Sequence, residues 1–208
     1  LMGISEKNNI KSTFNIICGK SSKFNSDYDV DDIKIKNLIK KINDRDHVIG
    51  LHPSYDCYMD PKQIKKELHQ LKIILKLIKI NQEEITSRMH YLRWKTSDTL
   101  LFLNNDGIKK DATLGYAEYC GFRCGTSHTY QGYDLLHRKI LNIRVEPLII
   151  MDGTLFEYMK LNYEQAYNIS MDLKKKCQKV NGQFNILWHN SSLQDPKKKI
   201  FYQNLIEN

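Results

Sequence analysis

Three apolar runs of this sequence end on residues that carry chemistry. Val48-Ile49-Gly50-Leu51 runs into His52-Pro53-Ser54-Tyr55, Glu84 to Ser87 into Arg88-Met89-His90-Tyr91-Leu92-Arg93, and Phe184-Asn185-Ile186-Leu187-Trp188 into His189. β-Branched and aromatic residues favour strands. Pro53 cannot donate to a ladder and biases His52 towards an extended backbone. Each of these side chains is therefore expected at the carboxyl end of a buried strand, facing a loop, where parallel α/β folds do their chemistry. An imidazole exchanges protons near neutral pH and ligates metals, and a guanidinium orients carboxylates or phosphates. One such histidine can simply close its strand with a hydrogen bond. Three strand ends in succession favour a functional rim.

The elements that must hold such a rim can be read in order. Residues 1–10 read as the end of a helix and Thr13 to Cys18 as a strand. The acidic stretch containing Asp27, Asp29, Asp31 and Asp32 reads as a solvated turn. Ile35, Leu38, Ile39 and Ile42 recur at helical spacing. Asp60 is a plausible N-cap with Pro61 at the first helical position, before a helix carrying Ile64, Leu68, Leu71 and Leu75 on one face. A helix capped by Thr96 or Ser97 ends at Gly107, and Ile108 opens a short strand with Asp111 just beyond it. Residues 112–138 read as an irregular, substrate-facing loop, and Ile143 to Met151 as one or two strands. Residues 162–180 and those from Pro196 onward read as helices. Short apolar strands alternating with helices imply a mostly parallel sheet covered by helices.

Composition narrows the function. A chain of 208 residues with 41% apolar content can form one domain with a sizeable core. No run of about 18 apolar residues suggests a membrane span. The net charge of +8 comes from lysines scattered among Ile and Asn, so nucleic-acid binding is not expected. Five cysteines without a Cys-x-x-Cys pair argue for reduced thiols and a cytoplasmic protein. Ile149 to Leu155 has the look of an aspartyl-phosphate motif, but Ile150 stands where that chemistry needs a nucleophilic aspartate.

With these segments in view the chain resembles the polysaccharide deacetylases, carbohydrate esterase family 4, in a divergent branch. The resemblance is carried, in order, by Thr13 to Ile16, Gly50 to Tyr55, Ser87 to Arg93, Asp111 to Tyr116, Gly121 to Thr126, Met151 to Phe156 and Leu187 to Asn190. It implies a distorted (β/α) barrel that removes an acetyl group from an amino sugar or polysaccharide, with a divalent metal, zinc being the expected ion. It implies His52 as a metal ligand, Arg88 as the group orienting a catalytic base, Asp111 as a supporting aspartate and His189 as the general acid. The usual second metal histidine falls at Asp56, so Asp56 or His90 is the expected replacement. Tyr55, Tyr91, Arg93 and Asp152 are the expected substrate contacts. The family's paired aspartates lie on a strand upstream of this chain's first residues. The chain is therefore expected to be one deacetylase-like domain, residues 1–208, truncated at both ends. The alternative is an inactive glycan-binding module of the same fold.

Overall fold

The computed structural model describes residues 1–207. The chain opens with α1 (Met2–Lys7), β1 (Thr13–Ile16), α2 (Ile33–Asp44), β2 (Val48–Leu51), α3 (Pro61–Leu77) and β3 (Thr86–Ser87). It continues with α4 (Asp98–Asn105), β4 (Lys110–Asp111), β5 (Tyr130–Asp134), β6 (Lys139–Val145) and β7 (Ile150–Met151). It closes with α5 (Tyr163–Lys179), β8 (Ile186–Leu187) and α6 (Pro196–Ile206). These elements form a mixed α/β structure in two compact units.

One unit comprises residues 11–113 and 130–145. Its six strands form one sheet in the order β1-β2-β3-β4-β6-β5, parallel except for the β5–β6 hairpin. Gly50 sits in register between Asn15 and Thr86. A Cβ there would lie 2.2 Å from Asn15 Oδ1 and 2.7 Å from Thr86 Oγ1, so any larger residue would force both side chains to move. Of the caps the sequence suggests, Asp60 is used, whereas Ser97 precedes α4 without a side-chain cap bond, and Asp32, in the acidic turn, caps α2 as well. Asp32 accepts from Lys34 N–H at the head of α2, and Asp60 from Lys62 and Gln63 N–H at the head of α3, with Pro61 in the first turn. The apolar stripe of α3, with Ile64, Leu68, Leu71 and Leu75, is buried as its spacing predicts.

The other unit comprises residues 1–10, 114–129 and those from Glu146 on. Here β7 and β8 pair in parallel, Ile150 with Ile186 and Met151 with Leu187. A capping box between Asn162 and Gln165 opens α5, and Asp195 caps α6. Leu155, Ala166, Leu173, Cys177, Phe201 and Leu205 pack with Ile149 and Ile150 into this unit's core.

One expectation fails. Residues 112–138 are not one irregular loop, because Tyr130–Asp134 is a strand antiparallel to β6. The reason is visible in its side chains. Its inward positions are Gly132 and Asp134, while Tyr133 faces water. A strand whose apolar side points outward and whose buried side carries glycine and aspartate gives no hydrophobic signature.

Candidate functional site

In the unit containing β7 and β8, the parallel register sets the carboxyl ends of both strands side by side. Asp152 follows β7 directly, and His189 lies two residues beyond β8. Their side chains meet, with Asp152 Oδ1 2.6 Å from His189 Nδ1. The other oxygen, Oδ2, accepts from the backbone N–H of His189 at 3.1 Å and from Ser192 Oγ at 2.5 Å. Asp152 is 2% exposed. Burial pushes its carboxyl up, but the hydrogen bond and charge of His189, the Ser192 hydroxyl and the His189 N–H outweigh that. The group ends below its ordinary value of 3.8. An ionised carboxylate can only accept, so Nδ1 carries the proton, and in the neutral ring Nε2 carries the lone pair. The imidazole itself is about half exposed. This carboxylate was expected to touch substrate. The structure turns both its oxygens to His189 and Ser192.

In the other unit the strand ends gather a different set. The backbone extends the ladder past β2 and β3: His52 N–H donates to Ile16 O, Arg88 N–H to Leu51 O and His90 N–H to Pro53 O. His52 Nδ1 lies 2.5 Å from the carbonyl oxygen of Arg88. A carbonyl only accepts, so Nδ1 holds the proton, and in the neutral ring Nε2 carries the lone pair. The His90 ring lies beside it, centroids 4.7 Å apart. Arg88 donates through Nε to Ala112 O at 2.8 Å.

Tyr91 and Leu92 take consecutive left-handed conformations, φ 56° and 53°. For side chains this large that costs roughly 1–3 kcal/mol each. Burial of Leu92 anchors the turn, and the strain presents Tyr91, 56% exposed, edge-on to Tyr55. Phe24 stacks on the Tyr55 ring, with centroids 4.6 Å apart. The Arg93 guanidinium lies 3.9 Å from the Tyr55 ring centre and 4.0 Å from that of Tyr58. It donates to Tyr55 O and to Asp56 Oδ1.

Asp111 is fully buried. It accepts from Ser87 Oγ at 2.7 Å, Thr113 Oγ1 at 2.8 Å and Thr113 N–H at 3.0 Å. Burial raises its carboxyl, and these bonds together with Arg88 offset only part of the rise. Through the Ser87 bond it ties β3 to β4.

The donors for a metal are only partly assembled. His52 and His90 lie together, whereas Asp56 is 92% exposed at its side chain and engaged by Arg93. Among the described residues no group of three or more His, Cys, Asp or Glu side chains is placed to hold an ion. A zinc site needs three or four donors, so these residues do not complete one.

Two participants left no mark in the sequence. Glu67, on the buried face of α3, accepts from Ser54 N–H at 2.9 Å, from Gln63 Nε2 at 2.9 Å and from Cys57 Sγ at 3.3 Å. It thereby holds the loop that follows His52. The spacing of Glu67 from Ile64 and Leu71 was its only signal, and a glutamate in a lysine-rich helix ordinarily faces water. Ser192 is the other, since a serine after a histidine announces nothing.

No family model matches the chain, and no curated protein matches it in sequence. Among solved structures, the chain is similar to a Bordetella bronchiseptica protein described as a candidate polysaccharide deacetylase involved in O-antigen biosynthesis. Identity is 13% and the TM-score 0.44, with 90% of this chain and 62% of that one covered. The chain thus spans less than two thirds of that protein's length. No helix among the described residues is long and apolar enough to cross a membrane.

Proposed function

We propose that the chain is a hydrolase of the carbohydrate deacetylase type, in a (β/α)-barrel context, with His189 as its proton-transfer residue. The observation that carries this is the His189–Asp152 pair. A buried, ionised carboxylate fixes the ring's tautomer and compensates the charge it gains on taking a proton. The order of the deacetylase-like segments supplies the substrate class. In the reaction a water oxygen bonds to the acetyl carbonyl carbon and gives its proton to His189 Nε2. The imidazolium then returns that proton to the sugar nitrogen or oxygen as its bond to the acetyl carbon breaks. Asp152 and Ser192 orient the ring throughout. His52 and His90 are proposed as two of the donors for a divalent ion.

The test is acetate release from N-acetylglucosamine oligomers and acetylated xylan. His189→Ala should lower turnover about 10²–10⁴-fold with an unchanged melting curve, the range for losing one acid–base group. Turnover that survives His189→Ala overturns the reading.

A second reading is favoured by the incomplete donor set and the aromatic group around Tyr55. Here the protein binds glycans without hydrolysing them, with Tyr91 and Tyr55 as stacking surfaces. Oligosaccharide binding that falls in Tyr91→Ala, with no acetate released by wild type, would establish it.

A further inference from the structure

The β5–β6 hairpin turns its apolar side chains into water. Tyr133 and Ile140 pair directly across the strands, and Leu135 and Leu136 begin the turn. Ile140 is 73% exposed, Leu136 67% and Leu135 60%. The inward positions of β6, Leu141, Ile143 and Val145, are buried in this unit's core. The outward residues therefore add nothing to its packing. Edge hairpins are ordinarily blunted with charge, and this one is tipped with two leucines.

Its charges point one way. Asp134 is the only acid between Tyr130 and Val145, and its side chain is withdrawn from solvent. It is occupied by the N–H groups of Leu136 and His137 and by the His137 ring at 2.7 Å. These bonds fix the turn and leave no acid at its surface. Leu135, Leu136, His137, Arg138, Lys139 and Ile140 are what water meets.

We propose that this hairpin docks the protein on an anionic phospholipid surface. Leu135, Leu136 and Ile140 enter the boundary between headgroups and acyl chains, while Arg138 and Lys139 pair with lipid phosphates. Apolar residues next to cations, with no exposed acid, match the layering of such an interface. A protein groove accepting the same leucines would not by itself call for an acid-free tip. The chain's net charge of +8 favours approach to the same surface.

The experiment is co-sedimentation with vesicles of mixed phosphatidylcholine and phosphatidylglycerol, against phosphatidylcholine alone. Wild type should partition onto the mixed vesicles. Leu135→Ser/Leu136→Ser should reduce partitioning about tenfold or more. Arg138→Gln/Lys139→Gln should reduce it about tenfold, in a salt-sensitive manner. Lys175→Gln/Lys179→Gln, the same charge change on an exposed face of α5, should alter it less than about twofold. All these positions are exposed, so melting curves should coincide. The proposal is overturned if wild type ignores the mixed vesicles or if the leucine variant binds as well as wild type. It is equally overturned if the α5 control falls as far as the hairpin variants. Wild-type self-association that the leucine variant abolishes, without vesicle binding, would assign the tip to a second copy instead.

Discussion

The two units each place a histidine just beyond the end of a parallel strand, and they equip it differently. His189 faces a buried carboxylate through Nδ1, with a serine hydroxyl on the far oxygen. His52 faces a neutral backbone carbonyl through Nδ1, with a second imidazole beside it. A carboxylate partner balances the positive charge of a ring that has just taken a proton, which suits a group that must cycle through that state. A carbonyl partner fixes the tautomer without balancing charge, and a neighbouring ring makes two positive charges at once costly. That arrangement suits a lone-pair donor towards an electrophile, as in histidines that bind metal with the other nitrogen held by a carbonyl. The same residue at the same kind of strand end is thus suited to two different tasks by what stands at Nδ1.

The sharpest way to break this contrast is Asp152→Asn. The carboxamide keeps the shape but offers one acceptor oxygen to three donors. We expect acetate release to fall about 10²-fold or more. Stability at neutral pH should fall by about 1–3 kcal/mol, read from urea unfolding. The pH dependence has a definite sign. The Asp152 carboxyl lies below 3.8 in the folded chain, so its stabilisation is whole above that pH and is lost as pH falls through the folded value. The gap between wild type and Asp152→Asn should therefore be full at neutral pH and close in acid. Asp111 behaves oppositely. Its folded value is raised, so its contribution declines as pH rises from 3.8 through that value. A double-mutant cycle sharpens the point further. Asp152→Asn with His189→Ala should be strongly non-additive, and Asp152→Asn with His90→Ala additive.

A smaller effect is expected from the support under His52. Glu67→Ala leaves the Ser54 N–H, the Gln63 amide and the Cys57 thiol without their acceptor. Unfolding should become easier by about 3 kcal/mol, with roughly half recovered in Glu67→Gln, which keeps one acceptor. If Glu67→Ala leaves stability unchanged, the loop is held by something other than this carboxylate.

What could be read from the sequence divides along a physical line. Caps and amphipathic helices are local, and Asp60-Pro61 and the α3 stripe fell where their chemistry places them. The strand ends bearing His52, Arg88, His90 and His189 were legible for the same reason. Pairing is not local. Asp152 and His189 stand 37 residues apart, and only the parallel register of β7 with β8 brings them together. Neither side chain alone announces the other as its partner. The β5 strand was illegible because its buried positions are Gly132 and Asp134. Glu67 was illegible because burying a carboxylate depends on three donors drawn from elsewhere in the chain.

The smallest effect separates the two candidates that the resemblance leaves open beside His52. Asp56 meets Arg93 at 3.0 Å with its side chain 92% exposed, and an ion pair so placed is screened by water and salt. Asp56→Ala should leave the melting temperature unchanged at physiological salt. Arg93 remains held by Tyr55 O and between the Tyr55 and Tyr58 rings. On the proposal that His52 and His90 are two of the donors for a divalent ion, zinc affinity measured by competition with a chelating dye should fall in His52→Ala and His90→Ala and stay level in Asp56→Ala. A fall confined to His52→Ala and Asp56→Ala would require Asp56 to leave Arg93 for the ion. It would also make the neighbouring imidazole a packing partner, and the contrast drawn between the two units would then rest on His52 alone.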